Sequence, residues 1–125
     1  SLSENQMRLE SVTLPSGIVQ LTLVGRLDIE GVTKIEDKFA FAVMTETAPV
    51  LVDLSQVDFI ASIGIRMLLM SAKALQRRGG RLVLYKPQPL VGETLVTAGI
   101  DLLIPTYEDF DAACADLLQT PSAAV

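Results

Sequence analysis

Hydrophobic and polar positions alternate from Met7 through Thr13 (Met7-Arg8-Leu9-Glu10-Ser11-Val12-Thr13), the period-two pattern of a half-exposed strand. Pro15-Ser16-Gly17 supplies turn chemistry, and Ile18-Val19-Gln20-Leu21-Thr22-Leu23-Val24 reads as a second strand closed by Gly25, so the chain opens with a hairpin. The period then changes. After Asp28, apolar residues recur at spacings of three and four (Val32, Ile35, Phe39, Val43), which predicts a helix that stops ahead of Pro49. Val50-Leu51-Val52-Asp53-Leu54 follows as a short buried strand. A second helix is expected from Ser62 to the Gly79-Gly80 stop, then a strand over Arg81–Tyr85 broken by Pro87 and Pro89. A short helix from Leu90 to Ala98 ends at Gly99, Leu102-Leu103-Ile104 reads as a last strand, and Glu108 to Leu118 as a last helix. A hairpin followed by alternating helices and strands predicts an α/β domain: a mixed sheet with an antiparallel edge and helices packed on it. The domain is expected over residues 7–118, with a flexible N-terminus at 1–6 and a flexible tail at 119–125.

Composition narrows the function classes. In 125 residues there is room for one sizeable core and not two. Half the residues are hydrophobic and 5% aromatic, which suits a Val/Ile/Leu/Ala sheet covered by helices. No apolar run approaches the ~18–20 residues that cross a bilayer, so no direct membrane insertion is expected; Arg26, Asp53, Asp58 and Arg66 interrupt the longest stretches. The first residues do not resemble a signal peptide, although a first residue other than Met leaves an upstream segment open. Ten basic against fifteen acidic residues give a net charge of -5, which argues against nucleic acid as a partner. The one basic cluster, Arg77-Arg78 with Arg81, reads as a solvated helix end. There is no His, which removes Ser-His-Asp and Cys-His catalysis and every His-containing metal site. The lone Cys114 excludes an internal disulfide and accords with a cytoplasmic setting. No enzymatic constellation is present, and no cofactor is implied.

The segment Val50 to Leu69 carries the most information. Asp53-Leu54-Ser55, Val57, Phe59-Ile60, Ser62, Gly64 and Leu68-Leu69 fall in register with the pattern "DLS-x-V-x-F-I-D-S-S-G-L-x-x-L-L". Gly25-Arg26-Leu27-Asp28 is similar to the "G-x-L-D" that follows the hairpin in the same pattern. Gly79-Gly80-Arg81-Leu82 and Ala98-Gly99-Ile100-Asp101 with Leu103-Ile104-Pro105 extend the match in order along nearly the whole chain. In these motifs the sequence resembles the STAS domain family, and within it the anti-sigma factor antagonists of bacteria. The resemblance implies a regulatory, non-catalytic partner switch in transcription control. Ser62 would be phosphorylated by a serine kinase that is also the anti-sigma factor, and a PP2C-like phosphatase would reset it. Asp28 would lie near Ser62 on the same face.

Elementary chemistry supports the choice of Ser62. A Ser at a helix start is expected to be an N-cap, its oxygen accepting from a free N–H one turn on. The same free N–H groups and the helix dipole favour an anion, so a phosphate of about -1.5 to -2 charges can be added without refolding. Taken without the resemblance, Ser62 reads as a helix cap and no more. Two departures from the pattern stand beside it: Ala61 where the family carries Asp, and Ile63 where Ser or Thr is common. On the helix, Ile65, Leu68, Leu69, Ala72 and Leu75 form one stripe for the sheet, and Ile63, Arg66, Met67, Met70, Lys73 and Arg77 form another. Ile63, Met67 and Met70 are expected to form a partner patch beside Ser62 unless neighbouring loops cover them. The candidate partner-binding set is thus Asp28, Ser62, Ile63, Gly64, Arg66, Met67 and Met70, with a homo-oligomer left open.

Two rival readings compete with this one. A receiver domain would take phosphate on Asp53 and use Lys86 of Tyr85-Lys86-Pro87, but the acidic pair needed for Mg²⁺ is missing. Asp53 then reads as a turn residue and Lys86 as an exposed loop cation. The other rival is a STAS adaptor subunit or ligand-binding module that works without phosphorylation, in a transport or lipid-trafficking complex or in a stress-signalling assembly.

Overall fold

In the computed structural model, which describes residues 6–44 and 48–119, five strands form one sheet in the order β1-β2-β3-β4-β5. The strands are β1 (Arg8–Thr13), β2 (Val19–Leu27), β3 (Val50–Ile60), β4 (Leu82–Tyr85) and β5 (Thr106–Tyr107). The helices are α1 (Ile29–Met44), α2 (Ser62–Arg77), α3 (Pro89–Thr97) and α4 (Phe110–Leu117). β1 pairs antiparallel with β2, and every later pairing is parallel. Apart from Gln6 and Gln119, the segments expected to be flexible lie outside the described residues.

The topology dictates which face each helix covers. Parallel strands added in sequence order, joined by right-handed crossovers, place α1, α2 and α3 on one side. The core follows that division. Leu21 and Leu23 of β2, Val50, Val52 and Leu54 of β3, and Leu82 and Leu84 of β4 pack with Val32, Ile35, Phe39, Leu68, Leu75, Val91 and Leu95 of the three helices. Leu51 and Val83 point the other way, with Ile18, into a smaller cluster closed by Ala113 and Leu117 of α4. β3 is thereby buried on both faces, which is why Val50, Leu51 and Val52 are apolar in succession rather than alternating with polar residues.

β3 is longer than its sequence pattern suggests. Its register with β2 shifts between Thr22 and Val24 and again between Gly25 and Arg26, each time with an additional residue on β3. Each bulge reverses the in–out phase, so Leu54, Val57 and Ile60, three apart, all stay in the helix-covered core. A spacing of three breaks the strand signal after Leu54. The first bulge is closed by Asp53, whose Oδ1 accepts the Ser55 N–H at 2.9 Å. Nor does Gly25 end β2: it sits within the strand at φ +119, where a Cβ would lie 3.2 Å from the Met7 Cα, and β2 runs on to Leu27.

Three other expectations are corrected. Leu102-Leu103-Ile104 is not a strand. Gly99, at φ +75, leads into a 3-10 turn over Ile100–Leu102 that buries Ile100 and Ile104 and leaves Leu102 85% and Leu103 60% exposed. The last strand comes after Pro105, where Tyr107 C=O accepts from Lys86 N–H at 2.7 Å. α4 starts at Phe110 behind Asp109, which caps it by accepting the Ala112 N–H at 2.9 Å. The basic cluster is dispersed: Arg77 is exposed, Arg78 donates to the Val43 carbonyl at 2.6 Å, and Arg81 pairs with Asp116 of α4.

Candidate functional site

The C-terminal ends of β2 and β3 lie side by side, and α1 and α2 start from them. Arg26 pairs with Phe59 and Leu27 with Ile60, and the Ala61 N–H donates to the Leu27 carbonyl at 2.9 Å. Asp28 and Ser62, one residue beyond Leu27 and Ala61, are thereby brought to the same end of the sheet, the placement that the family resemblance implied. Two glycines let the helices come this close. A Cβ on Gly31 would fall 1.9 Å from the Arg26 carbonyl oxygen, and one on Gly64 would fall 2.9 Å from both Cβ and the carbonyl oxygen of Leu27. Gly64 was a candidate partner contact, but it is buried against β2 and serves the packing instead.

Asp28 opens α1. Its Oδ1 accepts the Gly31 N–H at 2.8 Å, and its Oδ2 accepts from Arg26 Nε at 3.3 Å. The Gly31 N–H foremost, with the Arg26 guanidinium behind it, holds the Asp28 carboxyl below its ordinary range, so it is ionised at neutral pH. The Arg26 guanidinium also lies 4.3 Å from the centroid of the Phe59 ring. Phe59 is 39% exposed. An open groove of about 410 Å³ runs beside Asp28, bounded by Gln6, Met7, Arg26, Glu30, Gly31 and Lys34.

Ser62 is exposed, as a phosphate acceptor must be, but it is not the N-cap. Ala61 takes that place (φ -98°, ψ 172°), and no side chain caps α2. Its carbonyl accepts from Gly64 N–H at 3.0 Å and Ile65 N–H at 3.1 Å. Among the described residues the N–H groups of Ser62 and Ile63 have no acceptor. The Ser62 hydroxyl is free of a capping bond and stands next to two unsatisfied donors, at the positive end of a sixteen-residue helix.

The expected apolar patch divides. Met70 is 63% exposed, whereas Ile63 and Met67 are only partly exposed and pack against the main core. Arg66 is exposed. Arg26 and Phe59 were missing from the candidate set: their pairing depends on the two bulges in β3, which no periodicity announces. The described residues contain no cluster of three or more His, Cys, Asp or Glu side chains able to hold a metal, and no helix long and apolar enough to cross a membrane.

Comparison with known proteins agrees with this architecture. The family model described as "Mlab, STAS domain" matches residues 11–105, and the chain belongs to the STAS family. BtrV of Bordetella bronchiseptica, which bears the name of an anti-sigma factor antagonist, is 30% identical over 99 residues, 79% of this chain and 85% of that protein. The fold is that of an anti-sigma factor antagonist from Mycobacterium paratuberculosis (TM-score 0.82, 20% identity, 92% of this chain and 97% of that one). It is also that of the Bacillus cell fate determinant SpoIIAA. Its unphosphorylated form superimposes with a TM-score of 0.72 at 20% identity (91% of this chain, 100% of that one). Its phosphorylated form gives 0.65 at 20% identity (87% and 98%).

Proposed function

We propose that the chain is an anti-sigma factor antagonist whose switch is Ser62. Unphosphorylated, it binds an anti-sigma factor that is also a serine kinase, through the end of the sheet that carries Asp28, Ser62, Arg26 and Phe59 and the adjoining exposed face of α2 with Arg66 and Met70. The kinase transfers the γ-phosphoryl group of ATP to Ser62 Oγ: a P–O bond forms there, the bond to ADP breaks, and the hydroxyl proton passes to a base on the kinase. The new dianion repels the partner surface and releases it, and a phosphatase of the PP2C class restores the hydroxyl by hydrolysis. The partnership sets the location as the bacterial cytoplasm.

One observation carries this reading. Ser62 is solvent-exposed, lacks a capping bond and lies beside the unsatisfied N–H groups of Ser62 and Ile63, so a phosphate there costs no internal contact and gains two donors. BtrV, similar over most of its length, and SpoIIAA, known in both phosphorylation states, support it.

A second reading has its own observations. Ala61 and Ile63 stand where partner-switching members carry acidic and hydroxyl residues, and the matching family model is described as "Mlab, STAS domain". On that reading the same surface is a constitutive adaptor face. Capture from the native cell by wild type, Ser62→Ala and Ser62→Asp, with mass spectrometry of position 62, separates the two. Phosphate at Ser62, with a kinase-fold partner held by Ser62→Ala and lost by Ser62→Asp, is the expected result. Equal capture by both variants with no phosphate at position 62 overturns the switch in favour of the adaptor.

A further inference from the structure

The α2 surface that begins with Ser62 has a feature that neither capping nor core packing explains. Arg66 lies four residues on, so its side chain emerges over the turn that carries Ser62, with Cβ atoms about 5–6 Å apart. Both residues are exposed. Among the described residues Arg66, like Arg77 at the far end of the helix, forms no ion pair or hydrogen bond, whereas Arg8, Arg26 and Arg81 each have a carboxylate partner. The first turn of α2 holds no acidic residue that would pair with it. An unpaired guanidinium one turn after an acceptor hydroxyl is matched to an anion formed on that hydroxyl. The order, anion first and cation four residues later, is also the favourable one on a helix.

Resting on the switch at Ser62, we propose that Arg66 is the intramolecular receiver of the phosphate. In the unphosphorylated chain Arg66 is a free cation on the partner-facing surface, available to a partner carboxylate. In the phosphorylated chain its planar fork closes on two phosphate oxygens. Phosphorylation then acts twice on the interface: it adds negative charge at position 62 and withdraws the positive charge at position 66. A substitution such as Ser62→Asp reproduces the first effect better than the second, because a carboxylate is shorter and carries less charge than a phosphate.

The test needs neither partner nor kinase. Phosphoserine is incorporated at position 62, and the second ionisation of its phosphate is followed by ³¹P NMR in the otherwise wild-type chain, in Arg66→Gln and in Arg66→Lys. The helix end, Asp28, Arg26, Glu30 and Asp58 are common to all three, so the differences report on position 66 alone. An ion pair of ordinary helical strength lowers the phosphate pKa below its usual value of about 6, and Arg66→Gln should raise it by about 0.3 unit. Arg66→Lys should recover part of the shift, and ~1 M salt should erase most of it. A pKa that differs by less than about 0.1 unit between wild type and Arg66→Gln at low salt would overturn the pairing. The switch would survive that result, since it stands or falls on capture and on phosphate at Ser62.

Discussion

Among the described residues two Arg–Asp pairs stand at opposite corners, and they are held very differently. Arg81 and Asp116 join β4 to α4: Arg81 Nη2 donates to Asp116 Oδ2 at 3.1 Å, Arg81 Nε donates to Oδ1, and the Tyr107 hydroxyl also donates to Asp116. The Asp116 side chain keeps only 10% of its exposure, and Tyr85 packs edge-on against Phe110 beside it, with ring centroids 5.4 Å apart. Arg26 and Asp28 are neighbours on one strand end, joined by a single contact at 3.3 Å, with the carboxylate 35% and the guanidinium 52% exposed. A buried, doubly held carboxylate is a fastener, because removing any partner strands a desolvated charge. At the other corner Asp28 keeps its bond from the Gly31 N–H, while its solvent-exposed ion pair with Arg26 contributes little to stability. Arg26 can exchange its partner there at small cost, because its guanidinium is half exposed.

The widest separation of the two corners should come from their packing rather than their charges. Gly31→Ala forces a methyl into the Arg26 carbonyl and should cost about 3 kcal/mol in chemical denaturation, despite the better helix propensity of Ala. A cost near zero would show that α1 can lift from β2, and the close seating of α1 at this corner would be wrong. Next, Asp116→Ala should cost about 2 kcal/mol at neutral pH.

The pH dependence of that loss has a fixed sign. Arg81 foremost, with Tyr107 behind it, holds the Asp116 carboxyl below its ordinary range, so its contribution is complete above about 4 and disappears as pH falls through the lowered value. The hydrogen bond to Asp116 foremost pushes the Tyr107 hydroxyl up, so its share is complete below about 10 and is lost as pH rises through the raised value. The difference in melting temperature between wild type and Asp116→Ala should be flat between those limits and shrink on both flanks. A difference independent of pH would remove the fastener.

The smallest effect on stability belongs to the exposed corner. Met70→Glu should change stability by less than about 0.5 kcal/mol while weakening partner capture about tenfold or more. Met67→Glu, equally attractive from sequence, should instead cost about 1–2 kcal/mol, because Met67 packs on the core. Equal melting temperatures for the two variants would put both methionines in the same environment and erase the distinction.

Much of this was available along the chain. Val32, Ile35, Phe39 and Val43 announced α1 through a spacing that only a helix turns to one side, and all four are buried. The hairpin, the mixed sheet with its antiparallel edge and the end of α2 at Gly79-Gly80 were equally plain, since local backbone preference and apolar period agreed there. Where one geometric signal had to stand for another, the sequence misled. Leu102-Leu103-Ile104 looks like a strand because it is apolar, but Gly99 turns the chain so that only Ile100 and Ile104 face inward. Ser62 looks like a cap because caps are commonly Ser, yet the chain enters α2 one residue earlier, at Ala61.

The order of the elements and the exclusion of His chemistry were therefore decided by the sequence, because they depend on residue type and on spacings of a few positions. The meeting of Arg26 with Phe59 and of Asp116 with Arg81 and Tyr107, and the unequal burial of Met67 and Met70, were decided only by tertiary structure. Each depends on which strand lies beside which and on bulges that shift the phase by one residue, and such displacements leave no period to read.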